Sequence, residues 1–205
     1  VLEKEEEVMI ARKNNLYRKI SEKEKISIKE AENSFKSLKK KLAPERQHTS
    51  AYVFKEFGFS RAEYMDTIDE IDPESIISAH ENCIEMLDKI SKRNTLVTLS
   101  NTPRKSTEKA LKILKISEYF KKVYAADDFI ESKPSEKNIK TILEEQGFGI
   151  KDTVMIGNSP EKDIVPAYNL GIKTILFDPY DKHRDYKSVD YRIKDLIEIV
   201  DIVNS

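Results

Sequence analysis

The sequence predicts an α/β fold, a mostly parallel sheet layered with helices and preceded by an all-helical segment. From about residue 74 onward, short apolar runs alternate with amphipathic stretches, the pattern of strands joined by crossover helices. Residues 2–42, by contrast, contain no Gly and no Pro and are dense in Lys, Glu and Ala, which favours helix throughout. In the second half, the apolar runs end in polar residues of a restricted kind, and that bears on function.

In order along the chain, Leu16, Ile20, Phe35 and Leu38 are sparse apolar positions that predict helices with one narrow buried stripe. Ala43-Pro44 breaks that pattern, and FKEFGFS and IDPES punctuate two or three further short helices. Ile76, His80, Ile84, Leu87 and Ile90 share one helical face, so the spacing predicts a core-packed helix over 75–92. TLVTLSN (95–101) reads as a strand, KSTEKALKILK as an amphipathic helix, and KKVYAAD (121–127) as a second strand. SEKNIKTILEEQG is a helix stopped by Gly147, and DTVMIG a third strand. IVPAYNLG is a short helix with Gly171 just past its end, starting near Pro166 and leaving 159–164 as a loop. IKTILFD is a fourth strand; DYRI and DLIEIVDIV close the chain with a short strand and a helix. The expected division is a helical part over 1–74 and an α/β part over 75–205.

Composition narrows the function classes. Charged residues make up 36% of the 205 residues and nearly cancel, leaving a net charge of −1. That balance gives no basic footprint for nucleic acid. No apolar run reaches the roughly 18 residues of a membrane span, and no secretory segment opens the chain. Cys83 is the sole cysteine, so no internal disulfide forms and a cytoplasmic location is expected. His48, His80 and His183 are scattered and, with Cys83, offer no zinc spacing.

The polar strand ends are Ser100-Asn101-Thr102, Lys133-Pro134 just beyond the second strand, and Gly157-Asn158-Ser159 with Asp163 five positions after Asn158. In a parallel sheet these ends converge on one rim. A hydroxyl and amide, an ammonium, and an Asn/Asp pair suit a phosphate and a hard cation such as Mg²⁺. Lys133 alone would be uninformative among 36 Lys and Arg residues; the ordered set carries the signal.

That set resembles the haloacid dehalogenase-like hydrolases. LVTLSN matches the family's second motif, Lys133-Pro134 its third, and GNSPEKD its fourth, with Asn158 in the first acidic position. The resemblance covers about residues 75–205, and the helical 1–74 lies where this family inserts an all-helical cap, as in phosphoglycolate phosphatase and pyrimidine nucleotidase-like members. It implies a Rossmann-like three-layer core with that cap, and Mg²⁺-dependent hydrolysis of a small phosphorylated metabolite through an aspartyl-phosphate. By resemblance, Ser100 donates to a phosphoryl oxygen and Lys133 offsets charge on phosphate and nucleophile. Asn101 either faces the substrate or stabilises its turn. Asn158 binds the metal, and Asp163 lies in or just behind the metal shell.

One departure matters. The family's first motif, an apolar strand ending in D-x-D that carries the nucleophile and the general acid/base, is absent from these residues. Asp127-Asp128 is the ordinary lead-in to the third motif, and Asp66 and Asp69 fall in helical sequence. The expectation is that the motif lies on a central strand upstream, and that this stretch alone is inactive; loss of catalysis is the competing explanation. Carbon–halogen hydrolysis stays open, although those enzymes carry S-S-N where this chain has G-N, as does a catalytically silent binding role. Tyr52, Phe54, Phe57, Phe59 and Tyr64 form an aromatic group that lines a pocket or packs the cap. Substrate identity and oligomeric state have no signature here.

Overall fold

The computed structural model describes residues 2–3, 5–42, 50–74, 76–131 and 133–204; the Ala43-Pro44 break lies outside them. The first half is a helical cap of α1 (Glu5–Glu24), α2 (Ile28–Leu42), α3 (Ser50–Glu56) and α4 (Arg61–Asp69). Its interior gathers Leu16, Tyr17 and Ile20 of α1, Ala31 and Phe35 of α2, Val53 and Phe54 of α3, and Ile68 of α4. Phe54 is fully buried and stacks on Phe59 with ring centroids 3.9 Å apart, with Tyr64 tilted against it at 6.0 Å. Phe54, Phe57, Phe59 and Tyr64 therefore pack the cap, and Tyr52 is 44% exposed. A capping box opens α4: Ser60 accepts from the Glu63 amide while the Glu63 carboxylate accepts from the Ser60 amide.

The chain enters and leaves the cap side by side. β1 (Leu2–Glu3) pairs antiparallel with β2 (Ser78–Ala79), Leu2 opposite Ala79. This pairing removes the first part of the helix expected over 75–92. The helix, α5, spans Cys83–Ile90 and follows Asn82 at φ 60°. Its core face is Cys83, Met86, Leu87 and Ile90, while Ile84 is 45% exposed. His80 lies ahead of the helix, edge-on to Phe177 at 5.1 Å.

The rest alternates as expected: β3 (Leu96–Leu99), α6 (Arg104–Ile113), β4 (Phe120–Tyr124), α7 (Glu136–Gln146), β5 (Val154–Gly157), α8 (Val165–Asn169), β6 (Lys173–Phe177), β7 (Tyr191–Ile193) and α9 (Ile199–Asn204). Gly147 ends α7 at φ 68°, a conformation that costs an L side chain strain. The expected loop over 159–164 is instead a π-helical turn, Pro160–Ile164, that runs straight into α8 with Pro166 in its first turn.

Beyond β2 every strand pair is parallel, β3 with β4, with a register shift between Leu96 and Val97, and β5 with β6 and β6 with β7; among the described residues these pairs form two sheets rather than one. Alternation along β5 shows the layering. Val154 and Ile156 pack against the cluster that includes Met86 and Leu87 of α5, Leu111 of α6 and Ile199 of α9. Met155 points the other way and packs against the cluster that includes Ile139 and Leu143 of α7 and Ala167 of α8. On β3, Leu96 joins the first cluster and Leu99 the second. Thus β3 and β5 lie between the same two helix layers with their inner edges toward each other. Among the described residues no strand pairs with either inner edge. All eight residues of the two strands are half-buried, whereas Thr174–Phe177 of β6 is buried. Among the described residues no helix is long and apolar enough to cross a membrane.

Candidate functional site

Four of the five sequence-predicted residues meet where β3 and β5 end. Ser100 follows β3; its amide donates to the Tyr124 carbonyl at 2.9 Å, keeping it in line with β4. Its Oγ accepts from the Thr102 amide at 3.0 Å, which leaves the hydroxyl proton for another acceptor. Asn101 closes on the loop after β4: Nδ2 donates to the Lys133 carbonyl at 3.0 Å and Oδ1 accepts from the Lys133 amide at 2.6 Å. Both ends of its amide thus clamp the backbone of one residue, beside the cis Lys133–Pro134 bond.

Lys133 spans the inner edges. Its Nζ donates to the Leu99 carbonyl at the end of β3 (2.8 Å) and to Asp163 Oδ1 beyond β5 (2.7 Å). The pair is largely out of water, with side chains 18% and 9% exposed, so each charge depends on the other for compensation. Asp163 is fixed further by the turn it sits in: its Oδ2 accepts from the Ser159 amide at 3.1 Å and its own amide donates to the Ser159 carbonyl at 2.9 Å. This turn sits so close to β5 that a Cβ on Gly157 would lie 2.3 Å from the Asp163 Cβ. Asn158, the fifth residue, is exposed at the tip between Gly157 and Ser159.

Asn158 and Asp163 carry oxygen atoms of the hard type that a divalent cation takes; in this structure Asp163 Oδ1 accepts from Lys133 and Oδ2 from the Ser159 amide. Among the described residues, no group of three or more His, Cys, Asp and Glu side chains gathers around one point. Two protein donors match Mg²⁺, which keeps much of its shell as water and phosphate oxygen, better than Ca²⁺ or a transition metal.

The cap reaches the same rim. Arg12 of α1 donates from Nη1 to the Thr102 hydroxyl at 3.4 Å. Arg61, at the start of α4, donates to the carbonyls of Ala126, Phe129 and Ile130, at 2.5, 2.5 and 2.7 Å, in the loop ahead of Lys133. Asp69 accepts from Ser106, and Asp72 pairs with Lys109 at 2.5 Å, both partners on α6. Neither arginine was legible as functional, because one Arg on a Lys/Glu-rich helix carries no local pattern.

A helical cap seated over the strand ends of a three-layer α/β core defines a capped Rossmann-like protein. Residues 6–177 match the haloacid dehalogenase-like hydrolase family, and the chain belongs to that family. Its fold is similar to that of the HAD phosphatase from Thermococcus onnurineus, with a TM-score of 0.76 and 23% identity over 99% of this chain and 93% of that one. It is also similar to magnesium-bound YfnB, a HAD-hydrolase of Bacillus subtilis, with a TM-score of 0.62 and 18% identity over 97% and 93%. In sequence, 103 residues are 36% identical to glyceraldehyde 3-phosphate phosphatase of Methanocaldococcus jannaschii, covering 49% of this chain and 45% of the relative. Another 23% identity over 134 residues links it to pyrophosphatase PpaX of Halalkalibacterium halodurans, covering 63% and 62%. The chain thus matches about half the length of the first relative and under two thirds of the second.

Proposed function

We propose that these residues form the cap (1–74) and most of the core (75–205) of a Mg²⁺-dependent phosphomonoester hydrolase acting on a small phosphorylated metabolite. The observation that carries the reading is the Lys133 ammonium, held between the Leu99 carbonyl and the Asp163 carboxylate one residue from Ser100. A fixed, half-buried cation at converging strand ends suits a phosphoryl group, whose charge it offsets without reorganising. In this reading the Ser100 hydroxyl donates to a phosphoryl oxygen, and Asn101 keeps Lys133 in place while presenting the turn to substrate. Asn158 and Asp163 hold the magnesium ion, which when bound stabilises charge on the phosphoryl oxygens.

The nucleophile in this reading is an Asp on a strand seated between β3 and β5. Its carboxylate oxygen bonds to phosphorus as the ester oxygen leaves and takes up a proton; water then cleaves the acyl phosphate, releasing phosphate and restoring the carboxylate. The two parallel edges that no strand pairs with among the described residues support this, since a strand between them would satisfy backbone groups on both.

The phosphoryl site is testable without turnover. Methyl phosphate is titrated into the chain with Mg²⁺, following ³¹P line width and the Kd. The expected result is saturable binding that Lys133→Met weakens by about tenfold or more, the effect of one charged hydrogen bond. No binding, or equal affinity in Lys133→Met, would overturn the assignment.

A further inference from the structure

The loop that carries Lys133 is held from three sides. From the cap, Arg61 takes the carbonyls of Ala126, Phe129 and Ile130. From the turn after β3, Asn101 takes the backbone of Lys133 itself. The third hold comes from the first turn of α7, where Asn138 Nδ2 donates to the Glu131 carbonyl at 2.9 Å. Ser135 caps that helix by accepting from the Asn138 amide at 3.3 Å, and its hydroxyl donates to the Glu131 carboxylate at 3.2 Å.

Asn138 is only 4% exposed and shares the buried side of α7 with Ile139, Ile142 and Leu143. An amide at such a position costs free energy unless it is bonded. In a capping box the third residue of a helix turns its side chain back onto the cap's own amide. Asn138 instead reaches past the cap to a carbonyl seven positions earlier. Its bond therefore ties the helix to the loop rather than the helix to itself. What that bond fixes is a direction. The two bonds from Asn101 hold the chain at one residue, about which the segment ahead can swing. A hold at Glu131, two peptide units before Lys133, removes the pivot. The Lys133 ammonium must meet both the Leu99 carbonyl and Asp163, and a side chain with a swinging root is spread over many rotamers.

We propose that Asn138 is a positioning residue for the Lys133 ammonium, acting through the Glu131 carbonyl. Its consequence for phosphate affinity rests on the phosphoryl reading above; the ordering of the ammonium does not. Asn138 itself touches no reacting group in this account. It sets where the loop points, and Lys133 does the rest.

Two readouts separate these claims. The ammonium is followed by the hydrogen exchange of its ¹⁵Nζ resonance, assigned as the signal lost in Lys133→Met. Phosphate affinity is followed by titrating methyl phosphate into the chain with Mg²⁺. In Asn138→Ala the ammonium is expected to exchange about tenfold faster and the methyl phosphate Kd to rise about tenfold, the effect of one buried hydrogen bond. Asn138→Leu, which refills the buried position with carbon, gives the same two changes and keeps the test valid if the Ala variant does not fold. Ile142→Val trims a buried side chain of the same helix and changes neither readout, which controls for a loosened α7. Exchange in both Asn138 variants equal to that of the unaltered chain, or equally accelerated in Ile142→Val, overturns the positioning role. So does a Lys133 ammonium that exchanges as fast in the unaltered chain as that of the exposed Lys121. Acceleration confined to the Asn138 variants supports the role even where no form of the chain binds methyl phosphate, a result that overturns the phosphoryl reading instead.

Discussion

Replacing Gly157 by Ala tests how tightly the rim turn is seated. The added Cβ would lie 2.3 Å from the Asp163 Cβ and 2.7 Å from its Cγ. Carbon atoms in contact sit about 3.5–4.0 Å apart, so the overlap exceeds about 1 Å. Rotation about χ1 of Asp163 moves its carboxylate but not its Cβ, which is fixed to the backbone. The π-helical turn must therefore retreat, stretching the 2.7 Å Lys133–Asp163 pair and the 3.1 Å bond from the Ser159 amide. Overpacking of this kind costs about 1–3 kcal/mol, and loosening a largely buried ion pair places the substitution in the upper half of that range. With a urea m value of about 2 kcal/mol/M, the midpoint followed by far-UV circular dichroism falls by about 1 M. Gly149→Ala is the control. Its nearest neighbour, at 2.6 Å, is Oδ2 of the Asp152 side chain, which swings aside. A Gly157→Ala midpoint equal to that of the unaltered chain would refute the close approach, and with it the account of why Asp163 faces Lys133.

Three further outcomes are expected. Lys133→Met leaves the Asp163 carboxylate largely buried without its cation and costs about 3 kcal/mol; adding Asp163→Asn recovers part of this, and additive urea midpoints would count against a coupled pair. Arg61→Ala removes three hydrogen bonds to the 126–130 loop, so limited proteolysis there accelerates several-fold; an unchanged cleavage rate would mean the loop holds itself. Asn158→Asp adds one negative charge to the proposed metal position and tightens Mg²⁺ binding by about tenfold, and a calorimetric titration giving equal affinity would remove Asn158 from the ligand set.

The parallel strands were legible because each is a short apolar run closed by polar residues, a signal contained within a few positions. The end of α7 was legible for the same reason, since Gly147 takes the left-handed conformation its position demands. Less was visible wherever the deciding partner is distant in sequence. Ser78 and Ala79 fall between Ile76 and His80, inside the helical spacing, yet they pair with Glu3 and Leu2, and the helix starts only at Cys83. Of the expected face, Leu87 and Ile90 are buried, whereas Ile84 is exposed and Cys83 and Met86 complete the stripe, which has helical spacing as well. In the site, the residue types were readable but their relations were not. Asn101 looks like a turn residue, and only the fold brings the backbone of Lys133, 32 positions away, to both ends of its amide.

The antiparallel contact of Leu2–Glu3 with Ser78–Ala79 has an architectural consequence. Paired strands hold their Cα atoms about 4.5–5.5 Å apart, so the whole helical excursion departs and returns through a gap that a tight turn could bridge. The entropy of closing such a gap grows only logarithmically, about 0.6 kcal/mol for each doubling of the enclosed length. The neck is therefore nearly indifferent to the size of what it encloses. A larger, smaller or unrelated lid could be grafted at the same two strands while the layers beneath kept their packing, which makes this junction a natural crossover point for exchanging specificity without redesigning the chemistry.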